Sequence, residues 1–201
     1  MTKRYYFLIR YMPAQADHEL LAGRCIAQMH LFIVNNRQAM NKIGVSFPDW
    51  SDVTVGQTIA FVAEDKEMMV GLSFQPYFSV MVNEGLFEIS SVCEVPDTAA
   101  EVRFTRNQTI GKSFLGSKKR RIKRSMARAE LSGVESSLPV TNEERVIDSF
   151  HRIPISSASS GEDYMLFVQK ELVSERGAAN FNSYGLATNQ ERRGTVPDLR
   201  F

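Results

Sequence analysis

Between Val102 and Ala129 the chain carries ten Lys or Arg residues and no Asp or Glu, although its 201 residues together sum to a net charge of only +1. The other 14 basic residues stand against 23 acids, so the rest of the molecule carries −9. A block of this kind cannot enter a hydrophobic interior, because each ionised side chain would lose its hydration without gaining a partner. Its charged side chains must therefore face solvent or a partner of opposite charge. Within it, the run from Ser117 to Arg128 has no Gly or Pro and places Arg120, Arg121, Arg124 and Arg128 at helical spacings of three and four. Glu residues at i,i+4, which would stabilise an ordinary solvated helix, are missing. A basic localisation signal or a plain solvated face are the alternatives. The segregation of charge favours a polyanion, and an arginine stripe suits a nucleic-acid groove.

The remaining sequence can supply a core, since 43% of the chain is hydrophobic. We expect two small domains. No apolar stretch is long enough to cross a bilayer, and Met1-Thr2-Lys3-Arg4-Tyr5 runs directly into a strand-like pattern, so a soluble, cytoplasmic protein is expected. Cys25 and Cys93 are too few and too far apart for a disulfide framework or a zinc ribbon, and both read as small buried residues. No metal or cofactor site is evident.

Arg4 to Tyr11 reads as a first strand, closed by Met12-Pro13. Asp17 is a suitable N-cap for a helix whose apolar stripe runs through Leu21, Cys25, Met29 and Phe32 and stops at Asn35-Asn36. Lys42 to Phe47 and Thr58 to Ala63 read as strands, Phe47 to Trp50 as a turn, Glu64 to Gly71 as a short helix and Phe87 to Val95 as a strand. That order predicts an α+β protein opening with a ferredoxin-like βαββαβ domain over residues 1–96, with a boundary at Pro96-Asp97. A C-terminal domain over residues 97–201 then contains a strand at Glu101 to Gln108, a turn through Gly111 and Gly116, the arginine-rich helix and a β-hairpin. The hairpin strands are Arg152 to Ser157 and Tyr164 to Lys170, around the turn residues Ala158 to Asp163.

Histidine is the side chain best matched to proton transfer near neutral pH, and three occur, at positions 18, 30 and 151. His30 sits at the edge of an apolar helix face, where either a packed residue or a catalytic base would fit. His18 reads as part of a helix start, and His151 lacks distinguishing context. The serines around Ser157 and Ser159 fit a polar turn. Gly111 to Gly116 has neither the spacing of a hydrolase nucleophile elbow nor that of a phosphate-binding loop. Tyr164 and Tyr184 are ordinary sheet aromatics unless RNA is the partner, in which case such rings serve as stacking platforms.

Lys42-Ile43-Gly44-Val45-Ser46-Phe47-Pro48-Asp49 and Ser183-Tyr184-Gly185-Leu186 resemble the subtype I-F CRISPR repeat-processing endoribonucleases. Gln28-Met29-His30, Arg106-Asn107-Gln108 and Ser157-x-Ser159-x-Gly161 fall in the same order, so the resemblance covers nearly the whole chain. It implies metal-independent cleavage of precursor CRISPR RNA at the 3′ base of the repeat stem-loop, with no cofactor, leaving a 2′,3′-cyclic phosphate and a 5′-hydroxyl. By the same resemblance His30 looks like the base for the attacking 2′-hydroxyl, Ser157 like the residue that holds the ribose, and Tyr184 like the partner of the imidazole. Lys119, Arg120, Arg121 and Arg124 look like groove residues. Arg106 and Gln108 look like readers of a guanine and an adenine edge, Ser159 like a further RNA contact, and Tyr164 like the counterpart of a phenylalanine stacked beneath the terminal base pair.

The resemblance further implies that the protein stays bound to the hairpin of its CRISPR RNA product, as one subunit of a type I-F interference complex. Three features depart from the family: Ser125 replaces an arginine, Glu162-Asp163 brings carboxylates into the hairpin turn, and Ala187 to Phe201 is a longer tail. Two other readings fit the basic segment: a hairpin-binding subunit that no longer cuts, and a single-stranded RNA-binding domain, which would need an aromatic signature that the N-terminal strands lack.

Overall fold

The computed structural model describes residues 2–113, 120, 122–127, 131, 148–156, 161 and 163–199. It is an α+β structure with two sheets. In the first, β1 (Tyr5–Tyr11) lies between β3 (Thr58–Ala63) and β4 (Phe87–Ile89), and β2 (Gly44–Ser46) pairs with the outer side of β3, all antiparallel. This strand order is compatible with the expected βαββαβ unit. Alternation along β1 buries Phe7, Ile9 and Tyr11, as the period of two requires. Phe7 and Phe61 meet at 5.4 Å and share the ring of Phe78, which comes from a helix on that face.

The helices follow their caps. Asp17 accepts a 2.8 Å hydrogen bond from Leu20 N and starts α1 (His18–Asn35); Asp65 does the same for Met68 N at 3.1 Å and starts α2 (Lys66–Ser73). On α1 the expected stripe holds, with Cys25, Met29 and Phe32 buried and Leu21 half-buried. A further helix, α3 (Pro76–Asn83), was not legible in the pattern; proline at its first position presets the backbone, and Phe78 anchors it to the sheet. The expected strand from Phe87 to Val95 is divided. β4 and β5 (Cys93–Glu94) both pair with β1, but the register slips by one residue between them, where Ser90 bonds both the amide and the carbonyl of Leu8. Cys93 there is exposed rather than buried, whereas Cys25 is fully buried.

In the second sheet β6 (Glu101–Arg106) pairs with β8 (Asp163–Val173), which pairs with β7 (His151–Ser156), giving the expected antiparallel hairpin. Gly161 at its turn adopts a φ of +66°. Gly111 is not in a turn as expected but within a short helix, α4 (Gln108–Ser113). The tail docks on β6 twice, through β9 (Ala187–Thr188), which runs parallel, and β10 (Val196–Pro197), which runs antiparallel. Residues 120 and 122–127 of the basic segment are helical, as is residue 131 beyond it.

One hydrophobic core runs through both sheets. Phe47 meets Phe104 edge-on at 5.0 Å, and Ser46 donates to the Pro197 carbonyl at 3.0 Å. His151 acquires a context here: it is buried, its Nε2 lies 2.7 Å from the Ser51 carbonyl, and its ring abuts Trp50 at 4.4 Å. α1 packs closely on β7. A Cβ at Gly23 would stand 1.9 Å from the Pro154 carbonyl oxygen, so only glycine allows the helix to lie this near the strand. Among the described residues, no helix is long and apolar enough to cross a membrane.

Candidate functional site

His30 lies on α1 beside Met29, one position off the buried stripe, so its backbone is fixed by packing while its ring stays half-buried. The ring meets a loop that arrives 153 residues later in sequence, where the Ser183 carbonyl oxygen lies 3.0 Å from Nδ1. A carbonyl only accepts, so the proton sits on Nδ1 and the lone pair of the neutral ring sits on Nε2. Tyr184 then covers the imidazole face, with centroids 4.7 Å apart and planes at 22°.

The block from Lys42 to Asp49 acquires a physical meaning from this loop. Val45 N donates to the Gly185 carbonyl at 2.9 Å, pinning the loop to β2. Gly185 has a φ of +72°, and a Cβ there would stand 2.6 Å from Val45 and 3.1 Å from Met29. Gly44 makes room for Phe181, whose ring would lie 2.7 Å from a side chain at that position. These glycines serve close packing behind the histidine.

Arg106, the last residue of β6, places its guanidinium carbon 5.6 Å from the Tyr184 ring centre. Tyr164, near the start of β8, presents its ring edge to Tyr184 at 6.0 Å. Burial pushes the Tyr164 hydroxyl well above the usual tyrosine range, and the neighbouring Tyr184 hydroxyl adds to this while Arg106 acts the other way. Tyr164 is a half-buried member of the cluster.

Of the site residues expected from sequence, His30, Tyr184, Arg106 and Tyr164 come together here. Gln108, two residues after Arg106, begins α4 and is exposed, and Arg120 and Arg124 are exposed on the helical part of the basic segment. Ser157, Ser159, Lys119 and Arg121 lie outside the described residues; Ser157 directly follows Ser156, the last residue of β7. Sequence reading missed two asparagines. Asn107 donates to Gln169 Oε1 at 2.8 Å and accepts from the Thr109 amide at 3.1 Å, capping α4 between the two expected base readers. Asn182 accepts from the amides of Tyr184 at 2.8 Å and Leu186 at 3.2 Å. An Asn ahead of a Ser-Tyr-Gly turn was a readable signal, since asparagine closes such turns on its own backbone. Among the described residues, no group of three or more His, Cys, Asp or Glu could hold a metal ion.

A family described as CRISPR-associated protein (Cas_Csy4) matches residues 6–199. The chain belongs to the Cas_Csy4 family. Its members are CRISPR-associated endoribonucleases of repeat processing, and this chain is accordingly an RNA-binding protein of CRISPR RNA maturation. No curated protein matches the chain. A solved structure named as a chlorite dismutase is similar at 11% identity and a TM-score of 0.28, covering 87% of this chain and 80% of that one, a likeness too weak to carry any argument.

Proposed function

We propose that this Cas_Csy4 protein cuts precursor CRISPR RNA at the 3′ base of a repeat stem-loop without metal, using a ribose of the RNA as nucleophile. The observation that supports it above all is the fixed imidazole: Nδ1 is committed to the Ser183 carbonyl, Tyr184 covers one face, and no described residue bonds Nε2. In this reading His30 Nε2 takes the proton of the 2′-hydroxyl beside the scissile phosphate. The 2′-oxygen bonds to phosphorus, the bond from phosphorus to the 5′-oxygen breaks, and that oxygen leaves with a proton from solvent. The products are a 2′,3′-cyclic phosphate and a 5′-hydroxyl.

Ser157 holds the attacking ribose and Tyr184 orients the imidazole. The guanidinium of Arg106 and the amide of Gln108 read a guanine and an adenine edge, with Ser159 as a further contact and Tyr164 beneath the terminal pair. Lys119, Arg120, Arg121 and Arg124 lie along the groove of the stem, where a short hairpin opens the otherwise narrow A-form major groove at its end. Residues 1–96 carry the base and residues 97–201 the grip. The protein works in the cytoplasm and stays on its product as a subunit of a type I-F interference complex.

The test is cleavage of the cognate repeat hairpin in EDTA, with product ends identified. Wild type cuts, a 2′-deoxy substitution at the attacking nucleotide abolishes cutting but not binding, and His30→Ala lowers the rate by about 10²–10⁴ with affinity unchanged. A His30→Ala protein that cuts within twofold of wild type overturns the assignment. A wild-type protein that binds and never cuts is instead a hairpin-binding subunit.

A further inference from the structure

The carbonyl that fixes the His30 tautomer is main chain, so the question is what holds that stretch of backbone in place. Four hydrogen bonds converge on Asn182. Its side-chain oxygen takes the Tyr184 and Leu186 amides at 2.8 and 3.2 Å, its own amide donates to the Leu186 carbonyl at 2.8 Å, and its carbonyl takes the Gly185 amide at 3.0 Å. Ser183 and Tyr184, the two residues that touch the imidazole, lie inside this closed turn. The side-chain nitrogen of Asn182 is buried with no partner among the described residues. Only the acceptor half of the amide is in use, which is what a device for gathering backbone amides requires.

We infer that Asn182 is a positioning residue of the nuclease: through its turn it aims the Ser183 carbonyl at Nδ1 and so sets which nitrogen of His30 accepts the ribose proton. Asn182 itself does not touch the imidazole. Without it, the carbonyl drifts, the proton divides between the two ring nitrogens, and the fraction of enzyme with a basic Nε2 falls. The inference rests on the reading of His30 as the base, and the experiment separates the two.

Asn182→Ala and Asn182→Ser are compared with wild type in three measurements: single-turnover cleavage of the repeat hairpin, hairpin affinity, and the tautomer of His30 by 15N imidazole NMR in RNA-free protein at mildly alkaline pH. Wild type holds the proton on Nδ1. The alanine variant cuts about 10–100-fold more slowly with affinity within twofold and shows a tautomer mixture. The serine variant, whose shorter hydroxyl forms the same turn more weakly, falls between them on both scales. Rate and tautomer thus move together. An alanine variant with wild-type rate and tautomer overturns the inference, and so does slow cutting with an unchanged tautomer. If the alanine variant does not fold, a serine variant identical to wild type in both readouts overturns it. Should wild type fail to cut, the reading of His30 falls, while the tautomer series still decides the role of Asn182.

Discussion

The helix that carries His30 and the helical residues of the basic segment meet solvent in opposite ways. Seven residues of α1 are buried, and its contact with β7 is close enough to demand glycine at position 23. On the basic segment residues 122, 123, 124, 126 and 127 are exposed, and even its apolar residues Ile122 and Met126 keep 42% and 53% of their surface in water. One helix derives its place from packing; the other carries like charges at the surface, an arrangement suited to phosphates in the proposed reading. The imidazole of His30 is therefore set in place by the fold, while the basic side chains stay at the surface.

The contrast can be broken most forcefully at Gly23. A methyl there meets the Pro154 carbonyl, so Gly23→Ala forces α1 away from β7. The expected cost is about 1–3 kcal/mol, or roughly 3–10 °C in melting temperature. Cutting should fall with it, because His30 rides on the displaced helix, while hairpin affinity measured below the melt stays close to wild type. If cutting survives the loss of stability, packing of α1 does not place the base.

A smaller effect sharpens the other side. Arg124→Ala removes one exposed cation, so the slope of log affinity against log salt should flatten by about one unit. The cleavage rate at saturating RNA should not change. A rate loss at saturation would assign Arg124 to the reaction rather than to the grip.

The smallest expected effect concerns Glu171 on β8, which pairs with Arg103 at 3.1 Å and Arg193 at 2.9 Å. Burial would raise its carboxyl, but hydrogen bonds from these partners, with the Thr105 hydroxyl facing it, hold it below the ordinary range. A carboxyl depressed in the folded state adds stability above its unfolded value, near pH 4.3, and loses it as pH falls through the folded value. Melting curves taken from pH 5 downward should lose less in Glu171→Gln than in wild type. The difference should stay under about 1 kcal/mol, since the carboxylate is partly open to screening water. Equal acid limbs in the two proteins would show that the pair contributes nothing.

Local signals were legible in the sequence. Short apolar runs found β1 and β3, the Asp17 cap and apolar stripe found α1, and the serine-glycine turn found the hairpin of β7 and β8. Elements that depend on distant partners were not. α3 has few residues and one anchoring ring; the slip between β4 and β5 depends on Ser90 bonding a strand that lies 82 residues earlier; and the tail pairs through two-residue strands too short to carry a pattern. The site divides in the same way. Periodicity put His30 beside an apolar face and went no further, because its partners are a main-chain oxygen and a ring 153 and 154 residues along the chain. Only the family resemblance joined His30 to Tyr184, and the geometry of Val45, Gly185 and Asn182 supplies the reason that the block around Val45 accompanies the motif around Tyr184.

The separation between His30 and Ser183 also bears on how the protein is made. A ribosome that has translated the first helix has produced a histidine without its acceptor, and the acceptor emerges only after both sheets have most of their strands. A half-synthesised chain consequently holds the His30 ring without the contact that fixes its Nδ1, and that order is gained only when the last part of the chain folds back.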